Sequence, residues 1–285
     1  MIKDLFQNKK PVLSFEVFPP KKDSDFDNAF ETLNALSLLQ PDFISVTYGA
    51  GGSKSKKTLE IASYIQNTLH IDALAHLTCV GSHKEDILSI ASKFHEHNIN
   101  EVLALRGDRP RDMSDEQYCG RDFAHASDLI AFLKKETDLN CAGACYAEKH
   151  FECFSKETDL LHLKTKQDAG ADFFISQLFF DNDYFYDFRE RAAKKGIHVP
   201  ISAGIMPVTS AAQLGTTVSL SGSSIPKAFS DLIATYGDNP TEMRKAGIDY
   251  AIRQILDLKA NGVDGIHLYT MNKPKMAEEI VNGIK

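Results

Sequence analysis

Residues 101–107 read Glu-Val-Leu-Ala-Leu-Arg-Gly, an apolar run that turns abruptly polar at its C-terminal end and is followed by Asp108. Val102, Leu103, Ala104 and Leu105 are apolar without alternation, as in a strand covered on both faces of a parallel sheet. The same design recurs in both directions along the chain. Upstream lie VLSFEVF from Val12, FISVTYG from Phe43 and DALAHLTC from Asp72. Downstream lie CAGACYA from Cys141, FFISQLF from Phe173, PISAGI from Pro200 and GIHLYT from Gly265. The segments between carry helical spacing. Phe26, Phe30 and Leu33 stand at i, i+4, i+7, while Ile87, Ile90, Ala91 and Phe94 stand at i, i+3, i+4, i+7. Ala126, Leu129, Ile130 and Leu133 repeat the latter pattern, as do Ile248, Ala251, Ile252 and Ile255. Each gives a helix one apolar stripe to lay on a sheet. Eight strands alternating with helices predict an α/β fold, a (β/α)₈ TIM barrel formed as a single domain over residues 1–285. The long interval from Ile205 to Gly265 predicts extra helices between the last two strands, broken near Gly222–Ser224 and Gly237–Pro240, with Pro240 suited to a helix start.

Composition narrows the function classes. Hydrophobic residues are 43% and charged residues 25%, an ordinary globular balance that excludes disordered and fibrous chains. The net charge of −7 argues against nucleic acid or an anionic membrane as partner, since both require a positive field. No apolar run approaches the ~20 residues of a membrane-spanning helix. The first residues, MIKDLFQNKKP, lack the apolar stretch of a signal peptide. Five cysteines form no even framework, which fits reduced thiols and a cytoplasmic location.

In such barrels the chemistry sits at the C-terminal strand ends. There this sequence places Glu16, then Thr47 and Tyr48, then His76 and Thr78. Farther along come Arg106, Gly107 and Asp108, then Tyr146, Glu148 and His150, then Gln177, and last Tyr269, Asn272 and Lys273. Glu16 stands between apolar neighbours in SFEVFPP. Desolvation there is expected to raise its pKa and make it a general acid; a buried Glu paired with Lys or Arg is the equal alternative. Arg106 and Asp108 flanking Gly107 allow either an ion pair over a tight turn or a ligand contact with close backbone approach. Gly49-Ala50-Gly51-Gly52-Ser53 matches neither the dinucleotide fingerprint nor the P-loop, and reads as a loop before a helix. Cys141, Cys145, His150 and Cys153 lack metal-ligand spacing, so no metal is expected.

Read together and in order, SFEVFPPK, FISVTYGAGGS, HLTCVG, LALRGDRP, GADFFISQLFFD, SAGIMPV and HLYTMNK resemble the short bacterial type of 5,10-methylenetetrahydrofolate reductase, from about Ser14 to Met276. The resemblance implies an FAD-containing barrel that takes electrons from NADH or NADPH. Methylenetetrahydrofolate would then occupy the same face and be reduced to 5-methyltetrahydrofolate, in a ping-pong scheme feeding methionine synthesis. It implies Glu16 as the acid and Asp108 as a carboxylate near both flavin and pterin. It implies FAD contacts at Thr47, Tyr48, Ala50, His76, Leu105, Arg106, Gly107, Asp108, Ala126, Tyr146, His150, Asp159, His162, Thr165 and Lys166. Folate contacts are implied at Asp108, Gln177, Gln213 and Lys273. Three positions depart from the family pattern: His162 stands for a usual Asn, Thr165 for a usual Arg, and Lys273 for a frequent Arg. Loss of the Arg removes a bidentate phosphate contact, which leaves Lys164 and Lys166 as its substitutes. The partners expected are small molecules and further copies of the chain in a homo-oligomer. The competing reading is a flavin-free folate- or pterin-binding barrel that transfers one-carbon groups.

Overall fold

The computed structural model describes residues 1–48, 52–110 and 112–285, the side chains of 52–55, 216, 219 and 220 excepted. Eight parallel strands close into a barrel in sequence order. They are β1 (Val12–Val17), β2 (Phe43–Val46), β3 (Asp72–Thr78), β4 (Glu101–Leu105), β5 (Asn140–Cys145), β6 (Phe173–Ser176), β7 (Ile201–Ile205) and β8 (Gly265–Tyr269). Seven of the eight predicted strands run one to three residues past the observed end, as where Thr47, Tyr48 and Gln177 leave the ladder for the loops, while PISAGI stops with β7 at Ile205.

The helices are α1 (Ile2–Asn8), α2 (Phe26–Ser37), α3 (Gly52–Asn67), α4 (Lys84–Glu96), α5 (Asp115–Cys119), α6 (Ala126–Glu136), α7 (Lys156–Asp168), α8 (Asn182–Lys194), α9 (Ala211–Ser221), α10 (Lys227–Tyr236), α11 (Pro240–Ala260) and α12 (Pro274–Gly283). The three extra helices fall where the sequence breaks predict. Gly222 ends α9 in the left-handed conformation (φ +69°), and Asn239 caps α11 by accepting from the Thr241 and Glu242 amides, with Pro240 as its first residue. The short α1 and α5 lie outside the sequence reading.

The interior of the barrel has two halves. Its lower half is apolar: Phe43, Leu74, Leu103, Phe173 and Ile175 pack with Ile2 and Phe6 of α1, which plugs that end. Glu101 fastens the plug. Its Oε1 accepts from the Ile2 amide at 3.2 Å and from Asn140 Nδ2 at 3.2 Å. Burial pushes the Glu101 carboxyl up to about 7. The upper half carries the inward polar residues Ser14 and Glu16 of β1, Ser45 of β2, His76 of β3 and His267 of β8. The pleat places each of them two residues along from an inward neighbour. A second apolar shell joins strands to helices. A third, with Phe180, Val208, Leu214, Phe229 and Met243, seats α9–α11. There the α11 backbone touches the loop after β7, since a Cβ on Gly247 would fall 1.9 Å from the Val208 carbonyl oxygen. Among the described residues no helix is long and apolar enough to cross a membrane.

Candidate active site

A cavity of about 620 Å³ opens at the C-terminal end of the barrel. Its size falls in the range of small-molecule sites. It is lined by Glu16, Thr47, Tyr48, His76, Leu105, Arg106, Gly107, Asp108, Ala126, Tyr146, His150, Asp159, His162, Lys166 and Gln177, so fifteen residues singled out in the sequence converge on one space. Thr78, Val80, Leu103, His125, Ser127, Ala144, Glu152, Cys153, Ile175 and Tyr269 complete the wall. Ala50 and most of its glycine-rich loop lie outside the described residues.

Three expected contacts do not reach the cavity. The Thr165 hydroxyl donates back to the Leu161 carbonyl at 2.9 Å and stays exposed on α7. Gln213 closes the loop before α9, its Oε1 accepting from the Thr209 amide at 3.1 Å and its Nε2 donating to the Pro207 carbonyl at 3.3 Å. Lys273 is exposed at the start of α12. Of the two lysines offered in place of a missing Arg, Lys164 turns to Asp168. Lys166 faces the cavity and donates to the Ala144 carbonyl at 2.7 Å.

Glu16 stands at the inner end, and its partners are histidines rather than Lys or Arg. Oε2 lies 3.4 Å from His76 Nε2, 3.5 Å from His267 Nε2 and 3.5 Å from Ser45 Oγ. His267 is fully buried, and its Nδ1 sits 2.7 Å from Ser14 Oγ. The strand backbone is also anchored, the Glu16 carbonyl accepting from Thr270 Oγ1 at 2.7 Å. This corrects the expected direction of the Glu16 pKa. Burial raises it, but the His267 hydrogen bond and the charges of His76 and His267 outweigh burial and hold the carboxyl below its usual value. Burial drives His76 down to about 4, against the pull of Glu16. His76 Nε2 lacks hydrogen-bond geometry to any group among the described residues. Such an orphan, facing a cavity, offers a hydrogen-bonding partner to a bound molecule or an ordered water.

The mouth is built by the loops after β4 and β5. Gly107 has φ +84°, and a Cβ there would sit 2.9 Å from Val80 Cγ1 and 3.0 Å from Thr78 Cβ, so glycine is required. Arg106 pairs with Glu152 rather than with Asp108: Nη1 to Oε2 is 2.6 Å and Nη2 to Oε1 is 3.1 Å. Its Nε donates to the Gly107 carbonyl at 3.2 Å. His150 stacks on Phe151 and meets Tyr146 edge-on, with ring centroids 4.7 and 4.8 Å apart. Its Nδ1 accepts the Glu152 amide at 3.1 Å, which fixes the neutral tautomer with the proton on Nε2. Burial lowers the pKa of His150 and of Lys166, raises that of Asp159, and pushes Tyr146 up to about 12. On the same side, the rings of His125, at the N-terminus of α6, and His162 of α7 stack 6.1 Å apart. No cluster of His, Cys, Asp and Glu among the described residues could hold a metal ion.

The wall suits a flat, phosphate-bearing cofactor. It combines aromatic faces, a glycine that admits close backbone approach, two cationic side chains and an orphaned imidazole nitrogen.

The sequence profile described as Methylenetetrahydrofolate reductase matches residues 1–285. A 5,10-methylenetetrahydrofolate reductase of Pectobacterium carotovorum is 33% identical over 268 residues, covering 94% of this chain and 88% of that protein. Methylenetetrahydrofolate reductase (NADH) 1 of Arabidopsis thaliana is 33% identical over 287 residues, covering 97% of this chain and 48% of that protein. Among solved structures, an uncharacterized protein from Clostridium thermocellum that binds two copies of 5-methyl-5,6,7,8-tetrahydrofolic acid superposes with TM-score 0.65. It is 15% identical, and the match covers 100% of this chain and 97% of that one. That likeness concerns the fold.

Proposed function

This chain belongs to the methylenetetrahydrofolate reductase family, and on that premise we propose that it reduces 5,10-methylenetetrahydrofolate to 5-methyltetrahydrofolate with NAD(P)H as donor and FAD as resident cofactor. The product would feed methionine synthesis in the cytoplasm. The observation that carries the reading is a carboxylate, Glu16, held by two histidines at the inner end of the barrel cavity. Arg106, Lys166, Tyr146, His150 and the Gly107 backbone are the groups that would hold the FAD. When bound, the flavin accepts a hydride equivalent from NAD(P)H and gives it to the one-carbon unit.

The remaining work falls to the chain. The bridging CH₂ of the folate joins N5 and N10, and it becomes electrophilic only when the N10 bond opens to an N5 iminium. N10 leaves with a proton, which Glu16 supplies. The histidines hold Glu16 below its usual pKa against the burial that opposes them, so weakening those contacts on folate binding would favour the protonated form that the acid role needs. Asp108 lines the mouth; its carboxylate would stabilise the cationic iminium and would disfavour an anionic reduced cofactor.

Glu16→Gln separates the steps. Anaerobic stopped-flow should show flavin bleaching by NADH nearly intact, and oxidation of the reduced protein by methylenetetrahydrofolate slowed at least 100-fold. Equal rates in the second half-reaction would remove Glu16 from the acid role. A colourless protein that takes up no FAD would instead favour the flavin-free folate barrel.

A further inference from the structure

The pair at the cavity mouth goes beyond the contacts assigned so far. A guanidinium binds an oxyanion bidentately either end-on, through one N–H from each terminal nitrogen, or side-on, through Nε and one terminal nitrogen. In Arg106 both directions are engaged. Glu152 takes the end-on fork at 2.6 and 3.1 Å, and the Gly107 carbonyl takes Nε at 3.2 Å. Arg106 is largely enclosed while Glu152 is half exposed, their side chains 19% and 48% accessible. Glu152 sits on the tight turn closed by the Cys153 amide donating to the His150 carbonyl. With Thr165 and Lys164 turned away, Arg106 and Lys166 are the two long cations on the wall among the described residues.

Resting on the flavin reading above, we infer that Glu152 is a displaceable counter-ion of the diphosphate subsite. Its carboxylate holds the Arg106 fork in the empty protein and yields that fork to the diphosphate of the incoming dinucleotide. Two anions cannot share one fork, and the exposed partner is the one that leaves at little cost. The pair cancels the charge of Arg106, so a free monoanion gains little at that fork, whereas a diphosphate supplies the charge and reach to replace the carboxylate. Glu152 is therefore a positioning residue that sets cofactor affinity through Arg106.

The test uses the full chain stripped of flavin and titrated with FAD and, separately, with riboflavin, which has the ring system but no diphosphate. Glu152→Gln removes the competing charge and should bind FAD about three- to tenfold tighter, with riboflavin affinity unchanged. Glu152→Asp keeps a carboxylate and should stay near wild type. Thermal unfolding of each variant confirms the fold at this surface position. FAD affinity in Glu152→Gln equal to or weaker than wild type overturns the inference while leaving the flavin reading in place. An equal gain for riboflavin overturns it as well. A wild-type chain that takes up neither flavin overturns the flavin reading and this inference together.

Discussion

Replacing Glu101 by Gln should stabilise the protein at alkaline pH and leave it nearly unchanged in acid. Glu101 is 6% exposed beneath the barrel, where its carboxyl accepts from the Ile2 amide and Asn140. Burial, with Asp72 and Asp172 nearby, pushes its pKa from 4.5 to about 7, against the pull of the Ile2 amide and the N-terminal charge. The folded chain therefore holds this proton more tightly than the unfolded one. Stability is fully present below about 4.5 and is lost as pH rises through about 7. At about 1.4 kcal/mol for each tenfold change in acidity, ionising Glu101 in the fold costs about 3 kcal/mol. Gln keeps the accepting oxygen and never ionises, but its amide N–H groups need new partners, so a gain of about 1–3 kcal/mol is expected at pH 8. At about 2–4 °C per kcal/mol, the melting temperature should rise by several degrees. His76 works in the opposite sense. Its pKa is pushed from 6.5 to about 4, so its contribution is lost as pH falls between those values. The wild-type profile should consequently be flat between pH 5 and 6.5, and the variant should show the His76 slope alone. Thermal unfolding of both proteins from pH 5 to 8.5 measures this. An offset of the same size at pH 5 and pH 8 would refute the burial argument.

Other expectations follow from the same geometry. His267→Gln weakens the hydrogen-bonded contact that holds Glu16 down, so burial should move the acid's pKa up and carry the basic limb of the folate half-reaction to higher pH, as stopped-flow pH profiles would show. Phe43→Ala, at a fully buried position in the lower barrel beside Phe173, should cost about 3–5 kcal/mol in urea unfolding.

The barrel itself was legible because parallel strands buried on both faces leave short apolar runs, and here eight of them alternate with amphipathic helical segments. EVLALRG and FISVTYG announce both the strand and its polar end. The convergence of fifteen site residues followed from reading those ends together. What escaped the sequence is set by contacts distant along the chain. The sign of the Glu16 pKa depends on His267, 251 residues away, and the partner of Arg106 is 46 residues away on the next loop. A local reading supplied burial for the first and only Asp108 for the second. The placement of Thr165 and Gln213 was likewise decided by backbone acceptors and donors, Leu161, Thr209 and Pro207, that a motif does not encode. Helix α1 was missed because its seven residues make under two turns, too short for the i, i+3, i+4 spacing of Ile2, Leu5 and Phe6 to repeat.

The contact between Gly247 and the Val208 carbonyl bears on how this protein could diversify. The loop after β7 is held against α11 by a missing side chain on a distant helix, while in the segment that follows Gln213 is tied to Thr209 and Pro207, and Leu214 and Thr217 are buried. A mutational library over residues 209–217 should therefore keep folded members mainly at the exposed Ala212 and Gly215. Substitutions at Gly247 should vanish from the same selection, since any Cβ drives the helix and the loop apart together. Tolerance would follow exposure along the segment and be withheld from a position that no ligand meets.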